Sequence, residues 1–373
     1  MRKRWLWGLF ILLFLMYNQC GALSQEESSA KAACILEMET GRVLFEENMH
    51  KRLPMASTTK VMTALLAIEN GELSDRVTCS GNAFGVSGTS IYLAQGETLT
   101  LNEMLLGLML SSGNDAAVAI AEHIGGSVEG FAQMMNARAK EIGAVNTNFV
   151  NPHGLPDERH YTTAYDLALI AREAMENETF RRIVSTRQAS IPWEGRTYNR
   201  VLKNKNALLT SYEGATGVKT GFTSKAGRCL VFGAQREGME IIGAVLSCSD
   251  WFDEAARLMD ASFDAYDMTH MLGPLESAGE IPVNGGRSKS VGMCLMKELS
   301  VPLAQEESAQ VVLEVPYSVD APVYPGMHLG TARLVLDGQV LGESEIIASE
   351  RVDASGIGYN ISRVIGSWML IQR

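Results

Sequence analysis

Residues 217–248 read GVKTGFTSKAGRCLVFGAQREGMEIIGAVLSC, and this stretch decides the fold class. It contains three apolar runs of strand length, Gly217–Phe222, Cys229–Gln235 and Ile241–Cys248. The turn residues Arg236-Glu237-Gly238 separate the second run from the third. Short apolar runs bounded by turn residues are typical of consecutive strands. The pattern therefore predicts three strands near the end of a domain.

A second group of strands is predicted near the start of the chain. Ala32–Glu37 and Arg42–Glu46 are extended runs on either side of residues 38–41, METG, which is a hairpin signal. Helical patterns occupy the middle of the domain, and one more follows the last strand. Bringing the first and last strands into one antiparallel sheet with flanking helices predicts an α+β fold. The predicted helices cover about 57–69, 101–110, 116–124, 128–142, 164–176 and 250–268.

The composition changes near residues 272–274, LGP. Beyond this point lie the short runs Val311–Val315, Gly330–Leu336 and Ser344–Ala348, which are separated by proline and glycine turns and show no helical pattern. These features predict a small all-β domain over residues 275–355, after a first domain over residues 25–270.

The tail, residues 356–373, has a helical period. Because its apolar side chains fall on one face, we expect an amphipathic helix that lies on a membrane surface. A helix of this length is too short to cross the hydrocarbon core of a bilayer, which needs about 20 residues. The alternative is that the helix packs back on the β domain. The apolar face consists of Ile361, Val364, Ile365, Trp368 and Met369.

Residues 1–24 have the pattern of a secretory signal peptide. Met1–Arg4 is basic, Trp5–Met16 is apolar apart from Gly8, and Ala22-Leu23-Ser24 offers small residues for cleavage. We therefore expect a peripheral protein on the extracytoplasmic face of the cell membrane; an uncleaved N-terminal anchor is the alternative. Removal of Cys20 leaves five cysteines, an odd number, and we expect buried free thiols.

The charge balance excludes one class of function. The chain of 373 residues carries a net charge of −11, and loss of the three basic residues of the leader makes this −14. An acidic protein is poorly suited to non-specific binding of nucleic acid, which needs a basic surface. The six histidines show no metal-ligand spacing, so no metal site is predicted.

Ser57-Thr58-Thr59-Lys60 opens the first predicted helix. Positions i and i+3 share a helix face, so Lys60 can reach the hydroxyl of Ser57. A lysine that is shielded from water can serve as the base that activates a serine nucleophile. The same spacing occurs in Ser28-Ser29-Ala30-Lys31, but that copy lies in a polar N-terminal segment with no apolar helix behind it.

Two further short motifs carry polar groups suited to catalysis. Ser112-Gly113-Asn114 lies between two apolar helices, where a hydroxyl and an amide could relay a proton and orient a substrate carbonyl. The decoy Ser80-Gly81-Asn82 follows a strand and lacks this frame. On a predicted strand, Lys219-Thr220-Gly221-Phe222 offers a cation for a carboxylate, a hydroxyl, and a glycine that permits close backbone approach. The backbone N–H of Phe222 could pair with that of Ser57 as an oxyanion hole.

The order of these motifs is more specific than any one of them. S-x-x-K is followed by S-x-N after 55 residues, and K-T-G comes 107 residues later. The chain resembles the low-molecular-mass penicillin-binding proteins, specifically the exported serine-type D-alanyl-D-alanine carboxypeptidases, over roughly residues 30–270. The β-rich segment and the tail fit that family more loosely. Further resemblances are the segments 55–63, 151–155, 162–168 and 219–223.

This resemblance implies a β-lactamase/transpeptidase-like fold and a mechanism without metal or organic cofactor. Ser57 would attack the carbonyl between the two terminal D-alanines of a peptidoglycan stem peptide, with Lys60 as the acylation base. Ser112 would protonate the departing D-alanine, and Asn114 would position groups. Lys219 and Thr220 would hold the terminal carboxylate, and β-lactam antibiotics would act as covalent inhibitors.

Three other functions remain open at this point. A class A β-lactamase usually carries E-x-x-L-N, which this sequence lacks. An idle wall-binding or penicillin-sensing module would not need Lys60. A D,D-endopeptidase has nearly the same chemistry and is barely separated by sequence. Of the residues with weaker claims, Lys205 is interpreted as a solvated loop lysine rather than a substrate ligand, and His153 as part of the loop architecture.

Overall fold

The computed structural model describes residues 28–356. The predicted signal peptide and the predicted tail helix lie outside the described residues. The strands are β1 (Ala32–Glu37), β2 (Val43–Glu47), β3 (Arg76–Thr78), β4 (Thr98–Thr100), β5 (Gln188–Ile191), β6 (Arg200–Lys203), β7 (Ala215–Thr223), β8 (Gly227–Arg236), β9 (Met239–Leu246), β10 (Asp267–Leu272), β11 (Ser277–Asn284), β12 (Ser290–Leu295), β13 (Leu299–Leu303), β14 (Gln310–Glu314), β15 (Val319–Asp320), β16 (His328–Leu336) and β17 (Gln339–Ala348). The helices are α1 (Lys60–Asn70), α2 (Leu101–Leu110), α3 (Asn114–Gly125), α4 (Val128–Ile142), α5 (Ala164–Met175), α6 (Glu178–Ser185), α7 (Leu208–Ser211) and α8 (Trp251–Ala265), and a 3-10 turn (Ala56–Thr59) leads into α1.

A five-stranded antiparallel sheet forms the centre of the first domain, in the order β2-β1-β9-β8-β7. The first strand of the domain lies beside its last, with Ala32 opposite Leu246. The three apolar runs within residues 217–248 form the β7-β8-β9 meander. The predicted α+β class is confirmed.

Both faces of this sheet are covered. On β1, Cys34 and Leu36 pack into one apolar cluster with the large helical layer, whereas Ala33 and Ile35 pack into a second cluster with α8. Alternate residues of a strand point to opposite faces, which explains why every residue of β1 is buried. The five cysteines among the described residues are free and buried, as expected from their odd number.

Helix α1 is the centre of the helical layer and packs against α2 to α6. Its residues from Lys60 to Ala67 are all buried. A buried ammonium without an acidic partner is costly. Burial of Lys60 at the start of this apolar helix therefore costs stability, which indicates a functional rather than a structural role.

Several elements differ from the sequence prediction, and strands β4 to β6 and helix α7 were not predicted. Helix α3 begins at Asn114 rather than Ala116, because only the three residues 111–113 connect it to α2. The helix predicted to reach residue 268 ends at Ala265, since the chain turns there into β10, which pairs with β13. Helix α6 was not predicted, although Asn177 caps its first turn by accepting hydrogen bonds from two backbone N–H groups.

The second domain is built entirely from strands among the described residues. Its main sheet has the order β14-β16-β17-β12-β11-β15, and β10 and β13 form a separate pair. Fourteen fully buried apolar side chains, from Ile281 to Val352, form its own core. Within residues 28–356, no helix is both long enough and apolar enough to span a bilayer.

The β domain joins the five-stranded sheet of the first domain at its β1–β2 hairpin. Arg42 donates to the carboxylate of Glu307 at 2.5 Å and also to the backbone carbonyl of Pro302. Lys297 pairs with Glu39 at 3.1 Å. Following the register across the sheet, the K-T-G motif on β7 lies level with Cys34 on β1, near the opposite end from this hairpin.

Candidate active site

The Ser57 hydroxyl is presented by the 3-10 turn that precedes α1. Between Met55 and Lys60 only Ser57 is partly exposed, and all the other residues are buried. Ala56, directly before it, has a φ of 49°, in the left-handed region that is uncommon for a residue with a Cβ. The turn thus fixes Ser57 at the surface of an otherwise buried segment.

Lys60 lies directly behind Ser57 and is fully buried. Its Nζ is 3.0 Å from Ser57 Oγ, 2.7 Å from Asn114 Oδ1 and 2.8 Å from the backbone carbonyl of His153. Burial lowers the pKa of the Lys60 ammonium well below its usual value, and the charges of Lys219 and Lys205 lower it further. A neutral amine has two hydrogens and one lone pair. Two carbonyl acceptors and one hydroxyl therefore match the neutral form of Lys60.

Ser112 and Asn114 enter the site from the α2–α3 connection. Ser112 lines the cleft and adopts a φ of 63°. Asn114 joins two parts of the site, because its Oδ1 accepts from Lys60 while its Nδ2 donates to the carbonyl of Ser87 at 2.6 Å. A Cβ on Gly88 would lie 2.7 Å from Asn114 Nδ2, so a glycine at this position leaves room for the amide.

The loop beside Asn114 is held by a buried carboxylate. Asp115 accepts hydrogen bonds from the hydroxyl of Ser90 at 2.6 Å and from the backbone N–H groups of Ile91 and Leu93. All acceptor positions of this carboxylate face donors of the protein. It is therefore a structural group that shapes the cleft edge and not a free base.

The K-T-G motif lies on β7, against the Ser57 turn. Lys219 is buried behind the cleft wall and donates to the carbonyl of Thr220 at 3.0 Å, and burial and the charge of Lys205 lower its pKa to about 7. Thr220, Gly221 and Phe222 form the wall itself. From the sequence, close approach of a substrate is the expected reason for the glycine at position 221, but the structure shows a different cause. A Cβ added at Gly221 would lie 2.9 Å from the backbone nitrogen of Ser57, so only glycine fits against the turn.

These residues surround one cleft of about 310 Å³. Ser57, Ser112, Asn114, Thr220, Gly221 and Phe222 line it, whereas Lys60 and Lys219 lie behind its walls. Lys205 also lines the cleft, so its side chain faces the site rather than bulk solvent alone. Trp251, at the start of α8, was not singled out from the sequence and lies at the edge of the cleft.

Gly154 lies in the segment 151–155, but its own contribution to the site was not predicted from the sequence. It has a φ of 89°, and a Cβ there would lie only 1.8 Å from the carbonyl oxygen of Ala56. Any side chain would therefore displace the turn that carries Ser57. The neighbouring His153 contributes its carbonyl to Lys60, and burial lowers the pKa of its imidazole to about 3, which keeps the ring neutral.

The second copies of the S-x-x-K and S-G-N motifs, residues 28–31 and 80–82, lie outside the site. The hydroxyl of Ser28 accepts the N–H of Ala30. The hydroxyl of Ser80 accepts the N–H groups of Asn82 and Ala83. Neither hydroxyl lines the cleft described above.

Comparison with known proteins bears directly on this arrangement. The family model described as D-alanyl-D-alanine carboxypeptidase, peptidase family S11, matches residues 20–250. The chain belongs to this family. The model of the C-terminal domain of penicillin-binding protein 5 matches residues 266–354, which contain the β domain of this carboxypeptidase.

Named relatives cover almost the whole chain. The D-alanyl-D-alanine carboxypeptidase DacF of Bacillus subtilis is 34% identical over 98% of this chain and 99% of its own length. The crystal structure of penicillin-binding protein 5 from Haemophilus influenzae has a TM-score of 0.72 at 26% identity and covers 88% of this chain and 98% of its own. A mutant of the Streptomyces K15 DD-transpeptidase has a TM-score of 0.61 at 34% identity, over 64% of this chain and 99% of its own. Membership of this family implies peptidoglycan peptides as substrates and binding of β-lactams.

Proposed function

We propose that this carboxypeptidase removes the terminal D-alanine from peptidoglycan stem pentapeptides through an acyl-enzyme on Ser57. The observation that carries the proposal is the 3.0 Å separation between Ser57 Oγ and the Nζ of the buried Lys60, at the cleft surface. A nucleophile within hydrogen-bond reach of a base, with the base oriented by other groups, is the arrangement that covalent catalysis requires.

Lys60 acts as the base of acylation. In its neutral form it donates to Asn114 and His153, and its lone pair then faces the hydroxyl of Ser57. Attack moves the hydroxyl proton to Lys60 as the Oγ–carbon bond forms. The carbonyl oxygen of the substrate gains negative charge, which the backbone N–H groups of Ser57 and Phe222 stabilise. The close packing of Gly221 against the Ser57 turn supports this pairing of the two backbone segments.

Ser112 relays the proton that Lys60 has taken up to the nitrogen of the departing D-alanine. Its hydroxyl lines the same cleft as that of Ser57, and Asn114 ties the neighbouring helix start to Lys60. Collapse of the tetrahedral intermediate breaks the peptide bond, and the leaving amine takes the proton. Water then hydrolyses the ester on Ser57 and releases the shortened peptide. Neither metal nor organic cofactor takes part in these steps.

Lys219 and Thr220 recognise the terminal carboxylate of the substrate. Thr220 reaches the cleft directly, whereas Lys219 supplies its charge from behind the wall. A carboxylate bound nearby raises the pKa of Lys219 and holds it in the charged form. Lys205 adds a second positive charge at the cleft edge.

The exported state and the membrane contact are further parts of the proposal. Residues 1–24 direct export, residues 25–270 carry the peptidase, residues 275–355 form the β domain, and residues 356–373 lie on the membrane surface. The enzyme then works as a peripheral protein at the extracytoplasmic face. Names of relatives as D-alanyl-D-alanine carboxypeptidases support this location, because peptidoglycan lies outside the cytoplasm.

The test is release of free D-alanine from a pentapeptide that ends in D-Ala-D-Ala, with a cross-linked dimer in parallel. We expect release from the pentapeptide, and a penicillin adduct on the intact protein by mass spectrometry. Ser57→Ala should abolish both, while the matched variant Ser28→Ala should keep both. An adduct that survives in Ser57→Ala would falsify the assignment of the nucleophile. Faster cleavage of the dimer would favour the D,D-endopeptidase instead.

The absence of E-x-x-L-N in the sequence argues against an efficient β-lactamase. Asp115, an acidic residue next to the site, is occupied by backbone and hydroxyl donors. We therefore expect the penicillin adduct to decay slowly. An idle sensing module is disfavoured because it would not need Lys60 buried behind the serine.

A further inference from the structure

One end of the β domain carries an exposed apolar surface. Tyr317, Tyr324 and Met327 are 93%, 51% and 39% exposed, and we call these three residues the distal patch. Exposed prolines lie next to them in the same loops: Pro316, Pro322 and Pro325. Large apolar side chains grouped on a surface usually mark a place of interaction.

The chain leaves the β domain beside this patch. Val323, next to Tyr324, exchanges two backbone hydrogen bonds of 2.9 Å with Val352. The guanidinium of Arg351 lies over the ring of Tyr324, 5.4 Å from its centre. The segment that leads into residues 357–373 therefore runs directly along the patch.

A second set of contacts ties Tyr317 to the same end. The N–H of Ser355 donates to the carbonyl of Gly285 at 2.7 Å. The preceding residue, Asn284, donates from its side chain to the hydroxyl of Ser318 at 2.9 Å. Since Ser318 follows Tyr317, the most exposed residue of the patch lies close to the last residues of the β domain.

The two tyrosines of the patch are distant from the peptidase domain. Strand β12 starts at Ser290, which pairs with Pro282 near the Asn284–Ser318 contact, and finishes at Leu295. Two residues later Lys297 contacts Glu39 of the peptidase domain. Five steps along a strand span roughly 17 Å. Tyr317 and Tyr324 thus lie towards the opposite end of the β domain from the domain contact, whereas Met327 lies part-way along, because its carbonyl accepts from Ala348, which pairs with Met293.

We propose that the distal patch binds the surface of a phospholipid bilayer next to residues 357–373. This inference rests on the proposed membrane contact of the tail. Tyrosine suits the interface, because its ring can be buried while its hydroxyl stays in water. Two membrane contacts in one chain strengthen binding beyond either contact alone.

The charges around the patch are balanced, so we expect it to bind zwitterionic lipid without a need for anionic lipid. The segments that hold the patch, residues 284–290, 318–323 and 349–353, carry three basic and three acidic residues. Electrostatic attraction to anionic headgroups is therefore weak, and apolar burial supplies the binding. The charged residues of these segments are Arg287, Lys289, Arg351, Asp320, Glu350 and Asp353.

The first test measures partition of the full mature protein into phosphatidylcholine vesicles by flotation. We expect Tyr317→Ser/Tyr324→Ser to weaken partition about tenfold. A tenfold loss corresponds to the burial of only about 55 Å² of apolar surface in the membrane, summed over the two rings. The matched control Tyr198→Ser/Val340→Ser removes residues that are 58% and 51% exposed elsewhere, and it should partition like the wild type. Equal partition of wild type and patch variant, or no partition of either, overturns the proposal.

The second test uses an environment-sensitive dye on Met327→Cys, which can be labelled selectively because the five native cysteines in the described range are buried. We expect a blue shift on addition of vesicles. A blue shift that is present without vesicles and lost on truncation after Ser355 would mean that the tail covers the patch, and it would refute the lipid contact. D-alanine release from a soluble pentapeptide is measured on every variant. It reports the proposed peptidase function separately and should not change.

Discussion

Replacement of Gly221 by alanine tests how tightly the K-T-G strand positions the nucleophile. The added Cβ would lie 2.9 Å from the backbone nitrogens of Ser57 and Thr58 and 3.1 Å from the carbonyl oxygen of Met55. Ordinary contacts of a Cβ begin at 3.4 Å, so the turn must retreat by about 0.5 Å. All three atoms are backbone, and β7 is held in place by β8. No flexible side chain can absorb the shift.

A shift of this size should slow acylation by roughly tenfold, because a displacement of about 1 Å at a reacting centre can cost a hundredfold. The overpacking should also lower the free energy of unfolding by about 1–3 kcal/mol. The assay is the second-order rate constant for acylation by a fluorescent penicillin, together with a urea titration. Gly342→Ala is the matched control, since its Cβ meets nothing closer than 3.6 Å. Acylation of Gly221→Ala at the wild-type rate would refute the proposed contact between strand and turn.

Three further predictions follow from the charges of the site and its support. Lys219→Ala should reduce turnover of free-acid peptides far more than of their C-terminal amides; equal losses would remove its role in carboxylate binding. The kcat/KM for a free-acid peptide should rise with pH as Lys60 loses its proton and fall above about pH 7 as Lys219 loses its charge in the free enzyme. An amide substrate should lack the falling limb, and a pH profile on both substrates checks this. Glu97→Ala should lower the free energy of unfolding by about 3–5 kcal/mol in urea, because it leaves Arg200, paired at 3.0 Å, as an unmatched buried charge; a loss below 1 kcal/mol would contradict this.

The elements that sequence predicted best are those with a strong local period. Helix α4 has the predicted bounds Val128–Ile142, since it starts at a serine cap and ends at a glycine in the left-handed conformation. The strands of the main sheet lie within about two residues of prediction, because turn residues bound each apolar run. The motifs for the nucleophile and base were also readable, as Ser57 and Lys60 are separated by one helical turn.

The parts that sequence did not predict depend on contacts between distant segments. Nothing in the local pattern says that the carbonyl of His153 meets Lys60, or that Gly154 packs against Ala56. The spacing of K-T-G likewise does not say that Lys219 lies behind the wall while Lys205 faces the cleft. Such placements depend on how distant segments pack. The spacing of residues along the chain does not show which side chains are buried and which face the cleft.

The pairing of the first strand with the last has a consequence for the order in which the protein folds. Ala32 finds its partner only at Leu246, so the main sheet cannot close until more than 200 further residues have been synthesised. Contacts of such long separation form slowly. In the β domain, by contrast, β16 and β17 pair across a short hairpin and can form as soon as both have been synthesised. The peptidase domain therefore cannot complete its main sheet until β9 has been synthesised.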